Sequence, residues 1–164
     1  MNISILIDKE VQFINLLEND IKSSCEELEL WNRRLRDMTM YKGSGSPFDY
    51  IVWNGKTLIG LECKIINDKA KSKSFYFNRL KEIQKEGLLE LDQIDNSKGI
   101  ILINFRWINN KKGKLFVLPI TEFVNLEYSL NRKSIPLDYF EECTLSLPRK
   151  GKGWDLRLIM GGGG

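Results

Sequence analysis

Apolar residues recur at three- and four-residue steps through Val11, Ile14, Leu17, Ile21, Cys25 and Leu28, which predicts a helix that Asp8 can cap. The pattern then changes period. From Gly45 to Lys64, two runs rich in aromatic and β-branched residues flank Asn54-Gly55, a dipeptide suited to the positive φ angles of a type I′ turn, so a β-hairpin is predicted. A second helix is predicted from about Asn78 to Leu91, with Leu80, Ile83, Gly87, Leu88 and Leu91 on its buried stripe. The near-continuous apolar run from Ile100 to Phe105 predicts a strand covered on both faces, and Leu115 to Leu118 its partner strand. Short helices are expected from Pro119 to Tyr128 and after Ser134 or Pro136. This order implies an α/β fold, a mixed β-sheet flanked by helices, with the N-terminal helix on one side. No repeat or linker divides the chain, so residues 1–160 are expected to form one domain and 161–164 a flexible glycine tail.

A two-residue loop at Asn54-Gly55 would set Trp53 opposite Lys56 and Asp49 opposite Gly60. Asp49, Gly60, Glu62 and Lys64 then share one face, while Tyr50, Val52, Ile59, Leu61 and Cys63 point into apolar packing. Asp49 and Glu62 become diagonal neighbours, roughly 7–8 Å apart at the backbone, and both carboxylates can reach one cation. Two ionised acids about 4 Å apart repel by on the order of 4 kcal/mol at an effective dielectric of 20, which Lys64 offsets only in part. Oxygen donors without imidazole favour Mg²⁺ or Mn²⁺. Spacing alone does not decide between such a site and charges on the solvated face of a surface hairpin, where residues in this pattern often sit.

Other polar residues gather near this hairpin. Arg33, Arg34 and Arg36 precede a loop that contains Ser44 and Ser46, a combination able to hold phosphates, although an ordinary polar helix face fits the arginines too. Lys69, Lys71 and Lys73 form a basic loop after Lys64, placed to track a phosphate backbone. Gln84 lies on the apolar stripe of its helix, where a buried amide must find partners or cost about 1–3 kcal/mol.

Composition narrows the chemistry. The 164 residues contain no histidine, which excludes Ser-His-Asp and Cys-His catalysis and imidazole zinc sites. Three separated cysteines support neither a disulfide framework nor a zinc ribbon, and a cytoplasmic setting is expected. A net charge of +3 means that any nucleic-acid surface must come from local clustering. No apolar run approaches the length of a transmembrane helix, so no membrane association is expected.

Asp49 followed by Glu62-Cys63-Lys64 resembles the acidic and E-x-K elements of the PD-(D/E)xK nuclease superfamily, with Phe48 where the superfamily name has proline. Within it the chain is similar to RecU-type Holliday-junction resolvases. Leu17-Glu18-Asn19-Asp20-Ile21 resembles their N-terminal helix, Phe75-x-Phe77-x-x-Leu80-x-x-x-Gln84 the helix after the E-x-K strand, and Arg132-Lys133-Ser134-Ile135 their C-terminal region. The resemblance implies a restriction-endonuclease-like core and a homodimer that nicks four-way DNA junctions symmetrically, in a bacterial or phage-infected host. It implies Mg²⁺ held by Asp49, Glu62 and Glu18, with the Cys63 carbonyl as a further ligand. Lys64 and Gln84 would complete the catalytic set, with Arg132 and Lys133 on DNA. Only about 30 residues separate Glu18 from Asp49, which points to a reduced junction-entering stalk. Another nuclease of this superfamily, or a catalytically silent DNA-binding module, are the alternatives.

Overall fold

The computed structural model describes residues 17–35, 45–67, 73–108 and 111–161. A six-stranded mixed sheet runs through its centre in the order β1-β2-β3-β5-β6-β8. Its strands are β1 (Trp31–Arg34), β2 (Tyr50–Trp53), β3 (Leu58–Ile66), β5 (Ser97–Ile108), β6 (Lys111–Pro119) and β8 (Leu145–Leu147), and only β3 and β5 pair in parallel. Parallel neighbours need a long crossover. The chain between them supplies it as β4 (Ser74–Tyr76), a 3₁₀ turn (Phe77–Arg79) and helix α2 (Glu82–Asp92). β4 pairs with β7 (Ser134–Pro136) in a separate ribbon, and a small hairpin of β9 (Arg149–Lys150) and β10 (Gly153–Trp154) lies near the C-terminus.

Strand alternation divides the core in two. On one face Tyr50, Val52, Ile59, Leu61, Cys63 and Ile65 pack beneath helix α1, described over 17–27, whose Leu17, Ile21 and Cys25 are buried. On the other face Ile101, Ile103 and Phe105 meet α2, helix α3 (Ile120–Ser129) and helix α4 (Leu137–Cys143). The central strand is therefore buried from Ile100 to Phe105, as its apolar run predicts. Val11 and Ile14 of the expected first stripe lie outside the described residues, as do 162–164. Among the described residues no helix is long and apolar enough to cross a membrane.

Three expectations change. The hairpin pairs Trp53 with Leu58 and Ile51 with Gly60, two residues away from the expected register. Asn54 Oδ1 accepts the N–H groups of Lys56 and Thr57 at 3.0 and 2.8 Å, which closes a longer loop, and positive φ occurs at Gly55 but not at Asn54. Because the displacement is an even number of residues, every side chain keeps its expected face. The second helix begins at Glu82 and not near Asn78, since Leu80 and Lys81 are extended and Phe77 and Leu80 are committed to the core. Finally, Trp31 to Arg34 is an edge strand on β2, so Arg33 and Arg34 do not lie on a helix face.

Candidate active site

Asp49 sits where β2 begins, fixed through its backbone on both sides. Its N–H donates to the Leu61 carbonyl at 2.9 Å, and its carbonyl accepts the Leu35 N–H at 2.7 Å. This anchoring points the side chain along the free margin of β3, where Oδ2 accepts the Cys63 N–H at 2.8 Å. In a strand the N–H and C=O of one residue point to the same edge, so the Cys63 carbonyl also faces the side that Asp49 occupies. Its thiol is buried in the α1-side core, where burial pushes the pKa well above the usual range.

Glu62 is on β3, with only 2 % of its surface exposed. Its Oε1 accepts from Lys64 Nζ at 2.7 Å and from Gln84 Nε2 at 2.7 Å, while its buried Oε2 has no hydrogen-bond partner. The Gln84 carbonyl oxygen accepts in turn from Lys64 Nζ at 3.3 Å and from the Lys81 N–H at 3.0 Å. The second of these bonds caps α2, so helix start and site share one amide. Gln84 is half-buried and not fully buried as its stripe position predicts, and its side-chain partners include the acid and the lysine of the E-x-K element.

α2 comes close enough because residue 87 is glycine. A Cβ at Gly87 would stand 2.5 Å from Pro47 Cβ and 3.2 Å from its carbonyl oxygen, so any side chain there would push apart the helix that carries Gln84 and the segment that leads into Asp49. A glycine within a helical stripe is the sequence signal for such an approach.

Burial raises the Asp49 pKa above the ordinary carboxylate range, against the Cys63 N–H and the Lys64 charge, which lower it. Burial, followed by the charge of Asp49, raises Glu62 to about 7, with Lys64 opposing. Two acids that resist ionisation beside one lysine define a place short of positive charge. The unpartnered Oε2 of Glu62, the Asp49 carboxylate and a strand carbonyl are hard oxygen donors of the kind that suit Mg²⁺ or Mn²⁺, so the residues present fit a divalent ion.

The structure brings Asp49, Glu62, Lys64 and Gln84 together but gives Glu18 another partner. Glu18 lies on α1, 8 % exposed, with Oε1 at 2.9 Å from Arg34 Nη2. Its charge contributes to raising the Asp49 pKa, yet among the described residues no three His, Cys, Asp or Glu groups converge to hold an ion. Sequence reasoning missed the Arg34 pairing because it links elements 16 residues apart.

Of the expected DNA contacts, Arg33, Arg132 and Lys133 are exposed, and Arg34 is engaged by Glu18. Ser46 Oγ donates to the Phe48 carbonyl at 2.6 Å, bracing the turn that leads into Asp49. Lys73 is 9 % exposed and does not lie in a solvated loop, because its carbonyl accepts the Leu137 N–H at the start of α4 and β4 is paired with β7. Arg36, Ser44, Lys69 and Lys71 lie outside the described residues.

No model of a protein family matches the chain, and no curated protein matches it. Among solved structures it is similar to Hjc of Archaeoglobus fulgidus, a Holliday junction resolvase from an archaeal hyperthermophile, with a TM-score of 0.50 and 16 % identity over 79 % of this chain and 93 % of that one. At this identity the likeness shows the fold: a restriction-endonuclease-like α/β core with a mixed sheet flanked by helices.

Proposed function

We propose that the chain is a metal-dependent endodeoxyribonuclease of the PD-(D/E)xK superfamily that resolves four-way DNA junctions by paired nicks. The observation that carries this reading is Glu62, whose Oε1 is held by Lys64 and Gln84 while its buried Oε2 is left without a partner. Such an oxygen is costly in a folded protein unless a ligand satisfies it. Asp49, Glu62 and the Cys63 carbonyl would hold Mg²⁺ or Mn²⁺. Bound there, the ion supplies a water of lowered pKa and positive charge against the phosphate. The ammonium of Lys64, fixed by two acceptors, orients the attacking water and stabilises charge on the phosphate in the transition state. Gln84 keeps that ammonium from collapsing wholly onto Glu62.

Arg33, Arg34, Arg132 and Lys133, with Arg36, Ser44, Lys69 and Lys71, are the proposed phosphate contacts. The likeness to a junction resolvase and the RecU-type motifs support branched DNA as substrate. A homodimer would present two sites related by a two-fold axis to a two-fold substrate.

The test is cleavage of end-labelled four-way junction, linear duplex and single-stranded DNA in Mg²⁺. Paired nicks placed symmetrically across the junction support the reading. Equal cleavage of linear duplex keeps the nuclease and removes junction resolution, and binding without cleavage of any substrate leaves a silent DNA-binding module.

A further inference from the structure

β1 and β2 pair so that Trp31 lies directly opposite Trp53 and Arg33 opposite Ile51. Alternation places Trp31, Arg33, Ile51 and Trp53 on one sheet face, the same face that presents Gly60, Glu62 and Lys64 on β3. Phe48 and Leu91 cover that face at Gly60, but the outer end of the hairpin stays open, with Trp31 53 % and Trp53 46 % exposed. Single exposed aromatics are ordinary, whereas two in cross-strand register present two indole rings on the same open face. Arg33 is exposed beside them, and its guanidinium has no hydrogen-bond or ion-pair partner among the described residues. At the β1 edge it also lines a cleft of about 490 Å³ together with Lys22, Asn32, Arg34 and the Glu18 that Arg34 pairs with, so that Arg33 and Lys22 are the cations there not engaged by Glu18.

We infer that Trp31 and Trp53 form a base-stacking platform for an unpaired DNA strand, whose phosphates follow Arg33 and the cleft at the β1 edge. The inference rests on the nuclease reading and specifies the form of DNA held beside the site. Bases inside a duplex hide their faces in the stack, so only an opened strand can offer them to indole rings, and such stacking tolerates any base. Trp53 is four residues from Asp49 along β2, about 13 Å at 3.3 Å per residue. That distance spans at most about four nucleotides at the 3.4 Å spacing of duplex DNA, and fewer in an extended strand. The platform thus holds bases close to the phosphate that is cut. A second copy of the chain fits this face less well, since a self-complementary contact across so small a patch brings Arg33 towards its own symmetry mate.

The test measures binding of fluorescently labelled oligo(dT) to the full chain without divalent ions, for wild type, Trp31→Ala/Trp53→Ala, Trp31→Phe/Trp53→Phe and Arg33→Ala, with thermal melts to confirm folding. The Ala pair is expected to weaken binding about tenfold or more with an unchanged salt slope, and the Phe pair to keep most of the affinity. Arg33→Ala is expected to reduce the salt slope by about one. Unaltered affinity in the Ala pair, absence of oligo(dT) binding by the wild type, or conversion of a dimer to a monomer by the Ala pair in sedimentation would each overturn the inference. Trp-dependent binding by a wild type that cuts no DNA would retain the platform and remove the nuclease reading, and the reverse result would do the opposite.

Discussion

Gln84 donates to Glu62 Oε1 at 2.7 Å from the first turn of α2, the same turn that its side-chain oxygen caps through the Lys81 N–H. A residue of the helix after β3 is thereby built into the acid–lysine pair, and the start of the helix cannot move without moving the site. Gln84→Ala is expected to leave the Lys64 ammonium bound to Glu62 alone. Residues that hold a metal ligand or its neighbour typically contribute 10–100-fold. A loss of kcat of about that size, with melting lowered only slightly, is the expected result in single-turnover cleavage.

The raised pKa of Glu62 has a defined effect on stability. With its pKa raised to about 7, Glu62 in the native protein keeps its proton to a higher pH than in the unfolded chain, which releases it near the ordinary glutamate value of 4.5. Between those limits the native state binds more protons, so stability falls as pH rises, and the full contribution is present only below the unfolded pKa. Asp49, also raised, acts in the same direction. Without divalent ions the unfolding free energy should decline from pH 5 to pH 8, by on the order of a few kcal/mol, with the melting temperature falling accordingly, and Glu62→Gln should flatten the decline. Mg²⁺ should raise melting more at pH 8 than at pH 5, which scanning calorimetry measures.

Gly87→Ala sets two effects against each other. Alanine in a helix interior gains roughly 1 kcal/mol over glycine. The new Cβ, however, would lie 2.5 Å from Pro47 Cβ, a ring atom that cannot swing aside. Overpacking of this kind typically costs about 1–3 kcal/mol. The variant should therefore melt no higher than wild type and should lose activity, because the displaced parts carry Gln84 and Asp49. A thermal melt paired with a cleavage assay checks both.

The Glu18–Arg34 pair separates two roles for Glu18. Arg34→Ala leaves a buried carboxylate without its donor and should cost about 1 kcal/mol, the low end of the usual range because Arg34 is itself half-exposed. The double variant Glu18→Ala/Arg34→Ala should recover part of that loss. If Glu18 chiefly positions Arg34, Glu18→Gln should weaken DNA binding while leaving Mn²⁺ affinity, read by paramagnetic resonance, within about threefold. A larger loss of Mn²⁺ affinity would assign Glu18 to the ion.

Most of the scaffold was legible in the sequence because strand alternation and apolar runs are local signals. The faces of Asp49, Glu62 and Lys64 survived an error of two residues in register, since alternation has a period of two. The register itself was misread because an asparagine side chain can close a longer loop around the same Asn-Gly pair. Gln84 was identifiable as an amide on an apolar stripe, although it is only half-buried; its place beside Lys64 followed from the family resemblance, and its bond to Glu62 did not. The Arg34 partner of Glu18, the burial of Lys73 and the pairing of Trp31 with Trp53 depend on contacts between distant segments, for which a single sequence has no periodic signal.

The central claim is that Asp49, Glu62 and Lys64 form a metal-dependent phosphodiester-cleaving site. Its most direct test is the rate of four-way junction cleavage by wild type and Lys64→Ala, each with Mg²⁺ and with EDTA. Wild type should give paired nicks in Mg²⁺ alone, and the variant should lose at least about 100-fold in rate while junction binding is retained. Cleavage by Lys64→Ala at the wild-type rate, or cleavage by wild type in EDTA, would contradict it.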